Sequence, residues 1–188
     1  MKNPGSLEVI TGCVRSGKTD KLILWLRRVG YAKRNLQVFR VAVIETDDDL
    51  RICSGAGTEF PAAVVRESGE ILRLVEPSTQ VLAIDNAHFF DDGIISVVER
   101  LVNRGIRVIM AGLDLDFRTE PFGPIPVLMA KADKVDKLSA ICTICGEPAY
   151  CSQRLIDGKP ASFDAPFMVV GLSDVYEPRC RLHYKMAK

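Results

Sequence analysis

The chain has 188 residues, 47% of them hydrophobic, enough for one globular unit with a buried core and a small appendage. Its 25 basic and 24 acidic side chains leave a net charge of +1, so no global field draws it to nucleic acid or to an anionic membrane, and any anion has to be bound locally. The opening Met1-Lys2-Asn3-Pro4-Gly5-Ser6 holds no apolar leader run, and no later window approaches the roughly 18 apolar residues of a membrane span, which predicts a cytoplasmic protein without membrane or nucleic-acid partners.

Residues 7–10 form a short β-rich run that leads into Thr11-Gly12-Cys13-Val14-Arg15-Ser16-Gly17-Lys18-Thr19. Apolar positions then recur at helical spacing through Leu22, Trp25, Leu26 and Val29. Further strands are expected at 37–44, 81–84, 107–111 and 134–140, with Gly30 and Gly105 closing the intervening helices. Residues 45–59, with the triplet Asp47-Asp48-Asp49 and two glycines, show no sustained period and read as a mobile loop or a hairpin. Strands alternating with helices predict an α/β fold, a parallel sheet covered on both faces. Near Ser139 the sequence changes character, so the expected division is a nucleotide-binding domain over 1–139 and a small metal-binding domain over 140–188.

Gly12, four intervening residues and Gly17-Lys18-Thr19 fit the phosphate-binding pattern G-x-x-x-x-G-K-[ST]. The glycines let backbone N–H groups of residues 12–19 curl around phosphate oxygens, and the following helix N-terminus adds a favourable dipole. Lys18 supplies charge, and Thr19 can ligate magnesium. The placement between a strand and an amphipathic helix is the context the motif requires, so nucleotide binding through Gly12, Cys13, Val14, Arg15, Ser16, Gly17, Lys18 and Thr19 is expected. Asp85 ends an apolar strand where such proteins hold a second magnesium contact. Alone, an acid there is equally a helix cap.

The six cysteines lie in a chain without a secretion signal, so reduced thiols and metal ligation are expected rather than disulfides. Cys142-x-x-Cys145 and Cys180-x-x-His183 supply two close ligand pairs, the arrangement for a closed, structural Cys3His zinc site. The long gap between the pairs predicts a loop projecting from the zinc-held base. Cys13, Cys53 and Cys151 lack partners at ligand spacing and are expected to pack as small residues.

The sequence resembles type II thymidine kinases, in which a P-loop domain is followed by a zinc domain whose lasso closes over thymidine. The likeness lies in residues 8–22 and 83–92, Ala111-Gly112-Leu113-Asp114 through Phe117, Glu120-Pro121-Phe122-Gly123-Pro124, residues 138–145, and Gln153-Arg154-Leu155 onward to His183. It implies magnesium-dependent transfer of the ATP γ-phosphoryl group to the 5′-hydroxyl of deoxythymidine, in deoxynucleoside salvage for DNA synthesis, by a homotetramer. Leu113, Phe117 and Phe89 would enclose the base. Ser152, the backbone of Phe167, Met168, Val169, Val170 and Gly171, and Tyr176 would form the lasso side of the pocket.

Four places depart from that family's pattern. Asn86 stands where the family has the glutamate thought to take the proton from the attacking hydroxyl, and a carboxamide cannot accept a proton at neutral pH. His88 replaces a glutamine, Glu45-Thr46-Asp47 replaces an Asp-Thr-Arg type segment, and Val14-Arg15 replaces Met-Phe. If the strand continues in extended form, residues 86 and 88 point the same way and His88 can act as a substitute base; otherwise it keeps only the hydrogen-bonding role of the glutamine. Two functions follow: a slow thymidine kinase, or a nucleotide-binding protein of the same build that has lost transfer.

Overall fold

The computed structural model describes residues 4–42, 49–165 and 175–186. In chain order the elements are β1 (Ser6–Gly12), α1 (Lys18–Tyr31), β2 (Leu36–Val41), β3 (Arg51–Cys53), β4 (Glu59–Pro61), β5 (Ala63–Val65), α2 (Ser68–Leu74) and β6 (Val81–Asp85). A 3-10 turn (Ala87–Phe89) precedes α3 (Gly93–Asn103), β7 (Arg107–Gly112), α4 (Ile125–Lys131) and β8 (Lys134–Leu138). Five short strands follow: β9 (Ala140–Ile141), β10 (Pro148–Ala149), β11 (Cys151–Ile156), β12 (Lys159–Pro160) and β13 (Val175–Arg179).

Six strands form one sheet in the order β5-β2-β6-β7-β1-β8, parallel at each of its pairings. A parallel sheet needs cover on both faces, and the apolar residues divide accordingly. Leu22, Ile23, Leu26 and Val29 of α1 pack over Ile10, Val38, Ala83 and Ile109 on one face. Ile71 of α2, Ile94, Val98 and Leu101 of α3 and Leu128 of α4 close the other face over Val9, Phe39, Ile84 and Met110. Every residue of β6 is buried, and a fully buried leucine or isoleucine stabilises the fold by roughly 1.5–3 kcal/mol relative to an exposed one.

Several expectations from periodicity are corrected. The second strand stops at Val41; the last residues assigned to it, 43 and 44, lie outside the described residues. Part of the 45–59 stretch is the hairpin strand β3, paired with β4, while 45–48 lie outside the described residues. The 134–140 strand breaks at Ser139, and Ala140 pairs with Ala149 instead of continuing the sheet. Gly30 lies inside α1, and the left-handed residue beyond that helix is Lys33 (φ 51°). Gly105 does close α3, at φ 88°. The edge strand β5 was not expected, since three residues cannot display a period.

The C-terminal strands sit against the outlet of β1. Cys13 shares a small cluster with Ala140, Cys142 and Ala149, and its thiol donates to the Ala149 carbonyl at 3.3 Å. The apolar packing expected of Cys13 and Cys151 holds, whereas Cys53 is exposed on the hairpin.

Candidate functional site

Ligand sites in open parallel sheets form beyond the carboxyl ends of the strands, where the chain turns back to the next helix. β1 and β6 end on that side with β7 between them, which brings residues 12–19 opposite Asp85. Gly12 has φ 140°, and a Cβ there would lie 2.3 Å from the Leu138 carbonyl oxygen, so only glycine lets the loop leave β1 beside β8. Arg15 (φ 59°) and Gly17 (φ 81°) complete the left-handed turns that curl the loop.

Within the loop, Lys18 Nζ donates to the Cys13 carbonyl at 2.7 Å and contacts Ser16 Oγ at 3.5 Å. Burial lowers the Lys18 pKa below the usual lysine value, with Cys13, Asp85 and Asp114 opposing that shift. Thr19 Oγ1 donates to Asp85 Oδ2 at 3.1 Å. Burial raises the Asp85 carboxyl, against the backbone N–H of Asn86, the Thr19 hydroxyl, Lys18 and Arg40. A hydroxyl and a carboxylate at that separation form the oxygen pair a magnesium ion would use at such a loop.

Two cavities meet at this point. One, of about 460 Å³, lies between the loop and the β3–β4 turn and is lined by Arg15, Gly17, Lys18, Thr19, Asp20, Gly55 and Ala56. The other, of about 340 Å³, is shared by the loop residues Val14, Arg15, Lys18 and Thr19, by Asn86, His88 and Phe89, by Leu113, Phe117 and Phe122, and by Ser152 and Tyr176. Ser152 Oγ accepts the Val14 N–H at 3.1 Å, coupling the far wall directly to the phosphate loop. Tyr176 pairs with Arg154 across β11 and β13 and packs with Phe117 and Ala165. Phe90, by contrast, is 5% exposed and belongs to the core.

The strand does not continue through residue 88, so the geometry assumed for a substitute base is corrected. Asn86 takes a left-handed conformation (φ 55°, ψ 32°) and starts the 3-10 turn, a conformation asparagine tolerates better than most residues. His88 is buried at 5% exposure and its Nδ1 accepts the Leu113 N–H at 3.2 Å. Its ring packs on Phe89 and edge-on to Phe122, with centroids 4.1 and 4.7 Å away. Burial, reinforced by Lys18, pulls its pKa down to about 3. The ring is therefore neutral at pH 7 with its proton on Nε2, which makes Nε2–H a donor rather than a base. Gly123 secures this arrangement: at φ 51°, a Cβ would meet the His88 carbonyl oxygen at 2.3 Å.

A family model described as thymidine kinase matches residues 5–184. The chain belongs to the thymidine kinase family. As a thymidine kinase family member it is a kinase by class, and the family implies use of ATP and a metal ion.

The metal ligands also converge. The Sγ atoms of Cys142, Cys145 and Cys180 and a ring nitrogen of His183 all lie within 4.8 Å of one another. Cys145 and Cys180 sulfurs are 3.7 Å apart, and His183 Nδ1 lies 3.3 Å from Cys180 Sγ and 4.0 Å from Cys142 Sγ. A tetrahedron with zinc bonds of about 2.0–2.3 Å has edges of about 3.4–3.8 Å, so these four residues fit zinc and would fill its shell. They are held by the β9–β10 hairpin and by the turn after β13.

Phe167, Met168, Val169, Val170 and Gly171, expected on the lasso side, and Asp47 lie outside the described residues. Three side chains at the site were not singled out from sequence. Phe122 lines the aromatic cavity, and its signal was the Pro-Phe-Gly segment. Arg118 binds the Phe163 and Ala165 carbonyls through Nε and Nη2 at 2.7 and 2.8 Å, for which spacing gave no signal. Arg40 shares a cavity with Thr19, Asp85 and Asn86, and its signal was a cation inside an apolar strand.

Proposed function

We propose that the protein is a slow ATP-dependent thymidine kinase that transfers the γ-phosphoryl group to the 5′-hydroxyl of deoxythymidine. The observation that carries this reading is that the phosphate-loop cleft and the aromatic cavity share Arg15, Lys18 and Thr19, so ligands in the two would meet end to end. In this reading the loop N–H groups and Lys18 hold the ATP phosphates, and Thr19 and Asp85 hold magnesium. Bound there, the ion would neutralise charge on the β and γ oxygens. Phe89, Leu113, Phe117 and Tyr176 enclose the base, and residues 167–171 close over it. His88 keeps the hydrogen-bonding role of a glutamine. Residues 1–139 bind nucleotide and 140–188 form the zinc-held lasso domain, in a cytoplasmic homotetramer.

Phosphoryl transfer rests chiefly on positioning and electrostatics, so loss of a general base slows it by about a hundredfold to ten-thousandfold without abolishing it. A second reading, nucleotide binding without transfer, is favoured by one observation: no carboxylate is among the described residues lining the aromatic cavity. Thymidine phosphorylation with Mg·ATP, measured for the parent, Asn86→Glu and Lys18→Ala, separates the two. Parent turnover above the Lys18→Ala background supports the kinase. Activity only in Asn86→Glu supports an intact pocket that lost its base, and silence from all three supports the binding protein.

A further inference from the structure

The junction of the two cavities has an unusual chemical character for a site that would present a neutral hydroxyl. Arg15 is exposed there, and its guanidinium has no hydrogen-bond or ion-pair partner among the described residues. Lys18 adds a second cation whose only polar partners at hydrogen-bond distance among the described residues are the Cys13 carbonyl and the Ser16 hydroxyl, not an acid. His88 is nine-tenths buried, its Nδ1 is occupied by the Leu113 N–H, and its Nε2–H has no partner among the described residues although the ring lines the cavity. Asn86 contributes an amide that donates as well as accepts. Asp85 is committed to Thr19 and to the Asn86 N–H and lines a different cavity, and Asp114, whose charge also acts on Lys18, pairs with Lys137 at 2.7 Å.

Two cations and a fixed N–H donor, with no acid among the described residues lining the aromatic cavity and Asp20 on the loop-cleft side alone, form an anion site. Phosphate oxygens accept from N–H groups and pair with guanidinium in a way a single hydroxyl does not. We propose that the acceptor-side cavity takes a nucleoside 5′-monophosphate in preference to the free nucleoside, its phosphate seated between Arg15, Lys18 and His88 Nε2–H. This rests on the reading of the aromatic cavity as a nucleoside pocket. A phosphate monoester, whose second pKa is about 6, is already ionised at pH 7 and asks for no proton to be removed, so the carboxamide at position 86 is no handicap toward such a ligand.

Calorimetric titration of the zinc-loaded protein, with saturating Mg·ADP to fill the phosphate loop, compares thymidine with thymidine 5′-monophosphate. The monophosphate is expected to bind at least about tenfold tighter, and the preference to shrink as salt is raised and to fall within about threefold in Arg15→Gln and His88→Gln. Zinc content and retained Mg·ADP binding certify that the variants are folded, and the parent comparison stands without them. Thymidine binding as tightly as the monophosphate, or more so, overturns the proposal while leaving the nucleoside pocket in place. If neither ligand binds although Mg·ADP does, the nucleoside-pocket reading itself falls.

Discussion

The two sides of the site are built on different principles. On the donor side, function resides in backbone shape: the left-handed turns at Gly12, Arg15 and Gly17 and the parallel strands that set Thr19 against Asp85. On the acceptor side it resides in individual side chains, and here Asn86 and His88 stand on a 3-10 turn whose course is set by Gly123 and by the Leu113 N–H. A shape shared by many residues persists when one of them changes. Chemistry carried by one side chain does not, which is why, in the proposed reading, the phosphate loop keeps its shape while Asn86 leaves the aromatic cavity without a base.

The sharpest way to break this comparison is at Lys18, a donor-side side chain whose charge backbone shape cannot replace. Lys18→Ala is expected to lower any phosphoryl transfer by about a hundredfold to a thousandfold, and to weaken Mg·ATP binding in calorimetry. Retention of both would show that the loop is not the phosphate site.

Zinc removal tests whether the two sides depend on each other. Structural zinc typically contributes about 10–16 kcal/mol to folding in small zinc domains. The C-terminal segment reaches the loop through Ser152 Oγ on the Val14 N–H and the Cys13 thiol on the Ala149 carbonyl. Stripping the metal with a strong chelator under reducing conditions, or Cys180→Ser, is therefore expected to weaken Mg·ATP binding by about tenfold, followed alongside zinc content. Unchanged affinity after complete zinc loss would mean that the loop holds its shape alone.

His88 gives a smaller effect with a definite sign. Its folded pKa, about 3, lies below the unfolded value of about 6.5. The unfolded chain therefore binds the proton more readily. The contribution of His88 to stability is complete above pH 6.5 and is lost as pH falls toward 3, with a slope of at most about 1.4 kcal/mol per pH unit. Denaturant melts from pH 7 to 4 should show a flatter decline for His88→Gln than for the parent. The rate profile between pH 5 and 8 should carry no inflection that His88→Gln removes; finding one would restore the histidine as a base.

Much of the fold was legible in the sequence because apolar periodicity reports burial directly: of Leu22, Trp25, Leu26 and Val29, assigned to one face, the three aliphatic residues are buried and Trp25 is half-buried at its edge. The boundaries that failed did so where tertiary contacts decide them. Ser139 interrupts an extended run because Ala140 finds Ala149 as its partner, and no local pattern announces a change of partner. Phosphate-loop and zinc spacings were readable because backbone curl and tetrahedral ligation each impose short, fixed separations. The acceptor cavity was readable through resemblance, but the orientation of His88 was not. Whether a chain after β6 stays extended depends on the left-handed turn at Asn86, and an Asp-Asn dipeptide is compatible with either course.

That turn separates chemistry from conformation at position 86. Asparagine occupies the left-handed region at little cost, glycine at none, and a longer side chain such as glutamate at roughly 1–2 kcal/mol. The Asn86→Glu substitution that would supply a base should consequently lower the melting temperature, by about 2–4 °C per kcal/mol in a chain of this size. Asn86→Gly should melt within a degree or two of the parent while gaining no activity. Glutamate melting as high as asparagine would mean that residue 86 leaves the left-handed region when its side chain changes, and that the turn, like the chemistry it carries, is set by that single residue.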